Sequence, residues 1–161
     1  MSGSGSDVVL VPVAGGALAL THRPKLKAIP ALRGLGATHL VTLLAEREGA
    51  KQIGNAATAA GLTWLWTPLD GGDVPDAART AELRPRLAEI AAAIARGGKV
   101  VVHCSAGVHR TGMIGYALLR QLGLSADAAR EKLSALRSVT AEGVGSDRLA
   151  WGDSLAGGEP G

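Results

Sequence analysis

The chain has no phenylalanine, one tyrosine and three tryptophans, so aromatics make up 2% of its 161 residues. That leaves no series of stacking rings for single-stranded nucleic acid. Cysteine occurs once, which rules out an internal disulfide and makes a reducing, cytoplasmic compartment the expectation. Apolar runs are all short of the roughly 20 residues that span a bilayer, so no membrane partner is expected. The charge imbalance is small as well: 17 Lys and Arg against 14 Asp and Glu leave +3. With no Lys/Arg block, that does not make a nucleic-acid surface, but it is compatible with an anionic small ester or a phosphorylated protein. The four His and one Cys lack metal-ligand spacing. Neither a Gly-rich nucleotide fingerprint nor a nucleophile-elbow serine is present, so no cofactor is expected. The opening MSGSGSD lacks the regions of a signal peptide. Residues 1–7 and 157–161 read as flexible tails on one domain at 8–156, expected as a monomer.

What is present is apolar and ordered in its alternation. Leu, Val, Ile and Ala carry most of an apolar content of 47%, enough for one core. Val8–Val13 and Ala17–Leu20, split by Gly15 and Gly16, read as a hairpin. Leu26–Leu35 has helical spacing, with Pro30 near the helix start. His39–Leu44, Leu62–Trp66 and Lys99–His103 are short buried strands. Between them, Glu46–Ala60 is a loop and helix stopped at Gly61. Ala77–Arg96 is a long helix in which Pro85 predicts a break or a new start. Thr111–Leu122 is a helix, Ser125 caps Ala126–Leu136, and Asp147–Leu155 forms the last one. Trp64 and Trp66 share one face of a strand, and at least one is expected in the core. Strands alternating with helices give an α/β fold with a central, mostly parallel sheet flanked by helices.

The single cysteine sits where such a sheet places its ligands, beyond the C-terminal end of a strand. The segment VVHCSAGVHRTG runs from Val101 to Gly112. Its loop leads into a helix N-terminus, whose unpaired N–H groups and positive dipole end attract anions. The same surroundings favour a thiolate over a thiol. Arg110 adds a planar fork that matches two oxygens of a phosphate. A buried small hydrophobe is the ordinary role of a lone cysteine. The conjunction of His-Cys, five residues and Arg-Thr between a buried strand and a helix points instead to attack on phosphorus.

His103-Cys104-Ser105-Ala106-Gly107-Val108-His109-Arg110-Thr111 resembles the signature loop of the cysteine-dependent protein tyrosine phosphatases. The resemblance implies a protein tyrosine phosphatase-like fold of dual-specificity size. It implies Cys104 as nucleophile, Arg110 as ligand of the phosphoryl oxygens, and Thr111 as the hydroxyl that assists breakdown of a phosphocysteine. It implies that His103 tunes the thiolate through neighbouring contacts. The backbone of Ser105, Ala106, Gly107, Val108, His109 and Arg110 then forms the substrate cradle. The family also carries an aspartate on a loop upstream of the cysteine, before the intervening helix and strand. Thr67–Asp76, TPLDGGDVPD, lies there. Its Asp-Gly turn looks like that of the cyclin-dependent-kinase-associated phosphatases, in which the Asp directly before the glycines is the acid. Asp70 is therefore chosen over Asp73, and the paired glycines suit a loop that closes over substrate.

The implied reaction is hydrolysis of phosphate monoesters, phosphotyrosine and also phosphoserine or phosphothreonine, without a cofactor. An inositol phosphate or another small ester is the alternative substrate. A rhodanese-like sulfurtransferase and a silent phosphate-binding module are rivals of other classes. The Arg-Thr pair and the Asp loop argue against the first, and the presence of both nucleophile and acid against the second. His109 stands where the family mostly has glycine. It is expected either at the pocket rim in contact with substrate, or packed or solvated elsewhere. His22, Arg23, Lys25 and Lys27 form a basic cluster, read as a solvated face or an anion contact. Glu142 and Arg137 are further candidates for the site wall.

Overall fold

Residues 8–157 are described in the computed structural model of the chain. The expected tails lie outside the described residues except for Gly157, which ends the last helix. Five short apolar runs form one sheet in the order β1-β2-β5-β3-β4. They are β1 (Val11–Val13), β2 (Gly16–Thr21), β3 (His39–Thr42), β4 (Thr63–Trp66) and β5 (Lys99–His103). β1 and β2 are the expected hairpin, antiparallel, and every other pairing is parallel. Val100, Val101 and Val102 are fully buried, as a central strand covered on both faces requires. The register sets Thr21, His103 and Thr42 side by side at the C-terminal end of the sheet, with Trp66 beside Thr42.

Seven helices pack around this sheet among the described residues: α1 (Ile29–Gly34), α2 (Ala50–Ala59), α3 (Ala77–Ala95), α4 (His109–Gln121), α5 (Ala126–Leu136), α6 (Ser138–Gly143) and α7 (Ser146–Gly157). Single 3₁₀ turns at Leu26–Ala28 and Glu46–Glu48 precede α1 and α2. The centre of the molecule is α4, buried at every position from Thr111 to Leu119. Glycines let it approach its neighbours. A Cβ on Gly112 would stand 2.7 Å from Val144, and one on Gly152 of α7 would stand 2.7 Å from the Tyr116 ring.

Three local expectations are corrected, and one helix is added. The α3 helix does not break at Pro85. Pro85 and Ala81, whose carbonyl the proline ring displaces, both face solvent, where water replaces the lost bond, and Leu83, Leu87, Ile90 and Ile94 bury the opposite stripe. The α4 helix begins at His109, earlier than expected, so His109 and Arg110 belong to its first turn. The short helix α6 has no amphipathic stripe long enough to announce it. Neither Trp64 nor Trp66 is in the core. The two stack at 5.5 Å between ring centroids on the edge strand, half-buried.

Candidate active site

β5 ends at His103, and Cys104–Val108 turn the chain into α4. Gly107 makes the turn possible. Its φ is +78°, and a Cβ there would stand 2.6 Å from the Thr21 carbonyl oxygen and 2.7 Å from the His22 nitrogen. The loop thus lies flush against the end of β2, where no other residue fits. Its carbonyls are tied outward. The Ser105 carbonyl accepts from the Arg23 N–H at 2.8 Å, and the Gly107 carbonyl accepts from Thr140 Oγ1 at 2.5 Å and Arg137 Nη1 at 3.0 Å. A trans peptide unit points its N–H opposite its C=O. The amides of Ala106 and Val108 therefore face the interior of the loop, above the first turn of α4. Such an array can hold an oxyanion. Cys104 begins the loop and is 3% exposed.

His103 is fully buried, and its partners fix its tautomer. Its Nδ1 lies 3.0 Å from the Cys104 carbonyl, which can only accept, so Nδ1 carries the proton. Its Nε2 lies 2.8 Å from Thr42 Oγ1, and Trp64 Nε1 donates to that same hydroxyl at 2.8 Å. The Thr42 hydroxyl accepts from the indole and donates to the imidazole. A chain of bonds thus runs from the edge-strand tryptophan to the main chain of the cysteine. Burial pushes the His103 pKa down to about 4, reinforced by the positive fields of Arg23 and Arg110, and the ring is neutral near pH 7.

The Arg110 guanidinium is held in a fork. Nη1 and Nη2 donate to the two carboxylate oxygens of Glu48 at 2.8 and 3.0 Å, and Nη1 also donates to the Leu69 carbonyl at 3.0 Å. Glu48 is itself anchored by the Ala45 N–H at 2.8 Å, and the Arg23 guanidinium donates to its carbonyl. The bonds from Arg110 hold the Glu48 pKa down at about 2. In return Glu48 first, and the nearby Cys104 sulfur second, raise that of Arg110. Thr111 Oγ1 is fully buried and has no hydrogen-bond partner among the described residues. A buried hydroxyl left unpaired in the first turn of α4 awaits a partner from the site.

The aspartate loop approaches from the other side. Its base is pinned: the Thr67 and Leu69 N–H groups donate to Thr42 and Leu43 at 2.9 and 3.0 Å, and Leu69 is buried. Asp70 follows directly, one residue past the carbonyl that Arg110 contacts. Its side chain is 89% exposed and meets Arg47 at 3.1 Å. In this arrangement the carboxylate faces solvent and pairs with Arg47. Beyond it, Gly72 passes close to His109: a Cβ on Gly72 would stand 3.2 Å from the His109 Cβ. His109 is exposed at the rim beneath this loop.

The expected site residues Cys104, Arg110, Thr111, His103 and the loop from Ser105 to His109 come together at one sheet end, and Asp70 stands beside them. Arg137 braces the cradle from behind. Glu142 is exposed on α6. In the basic cluster, Arg23 turns inward to Glu48, whereas Lys25 and Lys27 face solvent. Glu48, Thr42 and Arg148 are additions. A charged triplet, Glu46–Glu48, directly after a buried strand was a readable signal for Glu48, because strand ends carry sites in such folds. Thr42 and Arg148 carried none.

A family model described as "Polymorphic toxin system, DSP-PTPase phosphatase" matches residues 17–123. The chain belongs to this phosphatase family. The match spans β2 to the end of α4, and so includes the aspartate loop, the cysteine loop and Arg110. Solved phosphatases share the fold. Tk-PTP in its active form is 20% identical, with a TM-score of 0.71 over 91% of this chain and 94% of that one. Kinase associated phosphatase is 17% identical, with a TM-score of 0.70 over 94% and 95%. TpbA of P. aeruginosa, in complex with phosphotyrosine, is 21% identical, with a TM-score of 0.54 over 91% and 97%. No curated protein matches the chain. The cysteine-based phosphatase is thus of the dual-specificity kind, with a single domain and a mixed five-stranded sheet.

Proposed function

We propose that this phosphatase hydrolyses phosphate monoesters of proteins, phosphotyrosine and also phosphoserine or phosphothreonine, through a phosphocysteine on Cys104. The observation that carries the reading is the cradle. Outward-tied carbonyls leave amides facing inward, with Cys104 at the base and the Arg110 fork set by Glu48. In the first step the Cys104 sulfur bonds to phosphorus as the bond to the leaving oxygen breaks, and Asp70 gives that oxygen its proton. The loop amides and Arg110 hold the equatorial oxygens. In the second step Asp70 takes a proton from water, whose oxygen bonds to phosphorus as the sulfur leaves. The orphan hydroxyl of Thr111 is suited to stabilise the departing thiolate.

Substrate breadth follows from the lining. Tyr116 and Trp151 are buried, and Trp64 and Trp66 stack on each other at the sheet edge. Among the described residues no tyrosine or tryptophan is left to clamp a phosphotyrosine ring, so recognition falls on the phosphoryl group. The phosphotyrosine bound by the similar fold of TpbA supports an aryl phosphate as first substrate. The single thiol suits a reducing cytoplasm. The test is turnover of an aryl phosphate with and without Cys104→Ser. Activity should fall to background in the variant, and the wild type should be blocked by orthovanadate but not by a chelator. Residual turnover in Cys104→Ser comparable to wild type overturns the mechanism.

A further inference from the structure

Thr67 and Leu69 pin the base of the aspartate loop, and Asp76, which accepts from the Arg79 N–H at 2.8 Å, caps α3 beyond it. The apex between them is glycine, glycine and aspartate, which has little side chain with which to hold itself. One guanidinium from a distant helix reaches it. Arg148, in α7, donates from Nε to the Gly72 carbonyl and from Nη1 to the Val144 carbonyl at 2.9 Å. Its side chain is 18% exposed, so it is largely shielded from water, where such bonds count more. The Val144 end is rigid, because Val144 is fully buried against Gly112 of α4. Arg148 therefore ties the loop apex to the helix that carries Arg110 and Thr111. Gly72 is fitted to this position: a Cβ there would meet His109 at 3.2 Å and Arg148 Nη2 at 3.5 Å. Opposite, the contact between Asp70 and Arg47 joins side chains 89% and 69% exposed, and such surface pairs are weak.

We propose that Arg148 is a positioning residue for the proton donor, clamping the Asp70 loop down on the cradle through the Gly72 carbonyl. The proposal rests on the reading of Asp70 as the acid. Loss of the clamp leaves the cradle, Cys104 and Arg110 in place but lets the loop dwell away from the leaving oxygen. Esters whose leaving group needs a proton then suffer, and esters whose leaving group departs as a stable anion do not.

The test compares phenyl phosphate with a difluoro-umbelliferyl phosphate, whose phenol is far more acidic. Wild type, Arg148→Ala, Asp70→Asn and the double variant are measured. The ratio of kcat/KM for the two esters is independent of how much protein is folded, so instability of a variant does not blur it. Arg148→Ala should shift that ratio about tenfold against phenyl phosphate, a fraction of what a well-placed general acid contributes. In the Asp70→Asn background the same change should add little, because the acid is already gone. An unchanged ratio in Arg148→Ala overturns the proposal, and so does a full additional shift on Asp70→Asn where Asp70→Asn by itself shifts the ratio. If Asp70→Asn leaves the ratio unchanged while Arg148→Ala shifts it, the clamp stands. The acid is then another group on the loop, with Asp73 next in line.

Discussion

The loop that carries Cys104 and the loop that carries Asp70 meet at one end of the sheet, and they are secured by different means. Around the cysteine loop, Arg23, Arg137 and Thr140 hold carbonyls, His103 and Thr42 hold the Cys104 peptide, and Glu48 holds Arg110. These ties come from β3, from the segments that follow β2 and β3, and from α6 and its N-cap. The aspartate loop is fastened firmly at its base and by Arg148 at its apex, with Asp70 exposed. The proposed function gives the two loops different work. An oxyanion site stabilises charge only if its donors are already aimed. A proton donor must let substrate in and product out, and a loop with few buried ties opens at low cost.

Two glycines test that contrast most sharply. Gly107→Ala places a Cβ at positive φ, 2.6 Å from the Thr21 carbonyl oxygen. The expected cost is on the order of 3 kcal/mol, or roughly 10 °C in Tm, with activity lost through the distorted cradle. Gly71→Ala in the aspartate loop meets nothing within 4 Å. Its stability should stay within about 0.5 kcal/mol of wild type. Thermal melts of both variants decide the matter, and equal destabilisation would remove the distinction between the loops.

A smaller lesion on the cradle side separates the two kinds of support kinetically. Glu48→Gln keeps the shape of the carboxylate but loses its charge and turns one acceptor into a donor facing Arg110. The guanidinium fork is then left imperfectly aimed. Here kcat/KM should fall about tenfold, the loss of one charge-assisted bond. It should fall alike for phenyl phosphate and the difluoro ester, because the phosphoryl group is common to both. A loss selective for the poorer leaving group would place Glu48 with the aspartate loop instead.

The same contrast explains what could be read from the chain. The cysteine loop was legible because its parts are contiguous: a buried strand, a lone cysteine, small residues, an arginine and a helix within Val101–Gly112. The hairpin, the three parallel strands and the cap at Ser125 were legible for the same local reason. The supports were not. Glu48 reaches Arg110 because β3 pairs with β5 despite the elements between them. Arg148 reaches Gly72 because α4 buries its full circumference and brings α7 alongside. Such meetings arise from the crossovers of the sheet and leave no periodicity in either segment. Pro85 misled for a related reason: the rule that breaks a helix concerns a lost bond, and on a solvated face water supplies it. A shared strand face pointed to at least one tryptophan in the core, whereas the indole N–H groups of Trp64 and Trp66 bind Thr42 and Leu44 at the sheet edge.

The gentlest test of the cradle is pH. His103 is held near pKa 4 against an ordinary 6.5, because the buried ring cannot be solvated as a cation. Below pH 6.5 the unfolded chain binds a proton that the folded one refuses, so stability falls as pH drops from 6.5 towards 4. Glu48 then acts in a lower window. Its carboxylate, held at about 2 against an ordinary 4.5 by Arg110, favours the fold above pH 4.5, and that contribution is lost as pH falls towards 2. In the upper window His103 should cost about 1 kcal/mol per pH unit, or roughly 3 °C in Tm. His103→Asn retains a donor for the Cys104 carbonyl but does not titrate. Its Tm should therefore be flatter than that of wild type between pH 6.5 and 4, while both proteins still lose stability below. Melts across that range in matched salt provide the check. Parallel curves for the two proteins would show that His103 is protonated in the fold, and that the bond chain from Trp64 to Cys104 runs through an imidazolium instead.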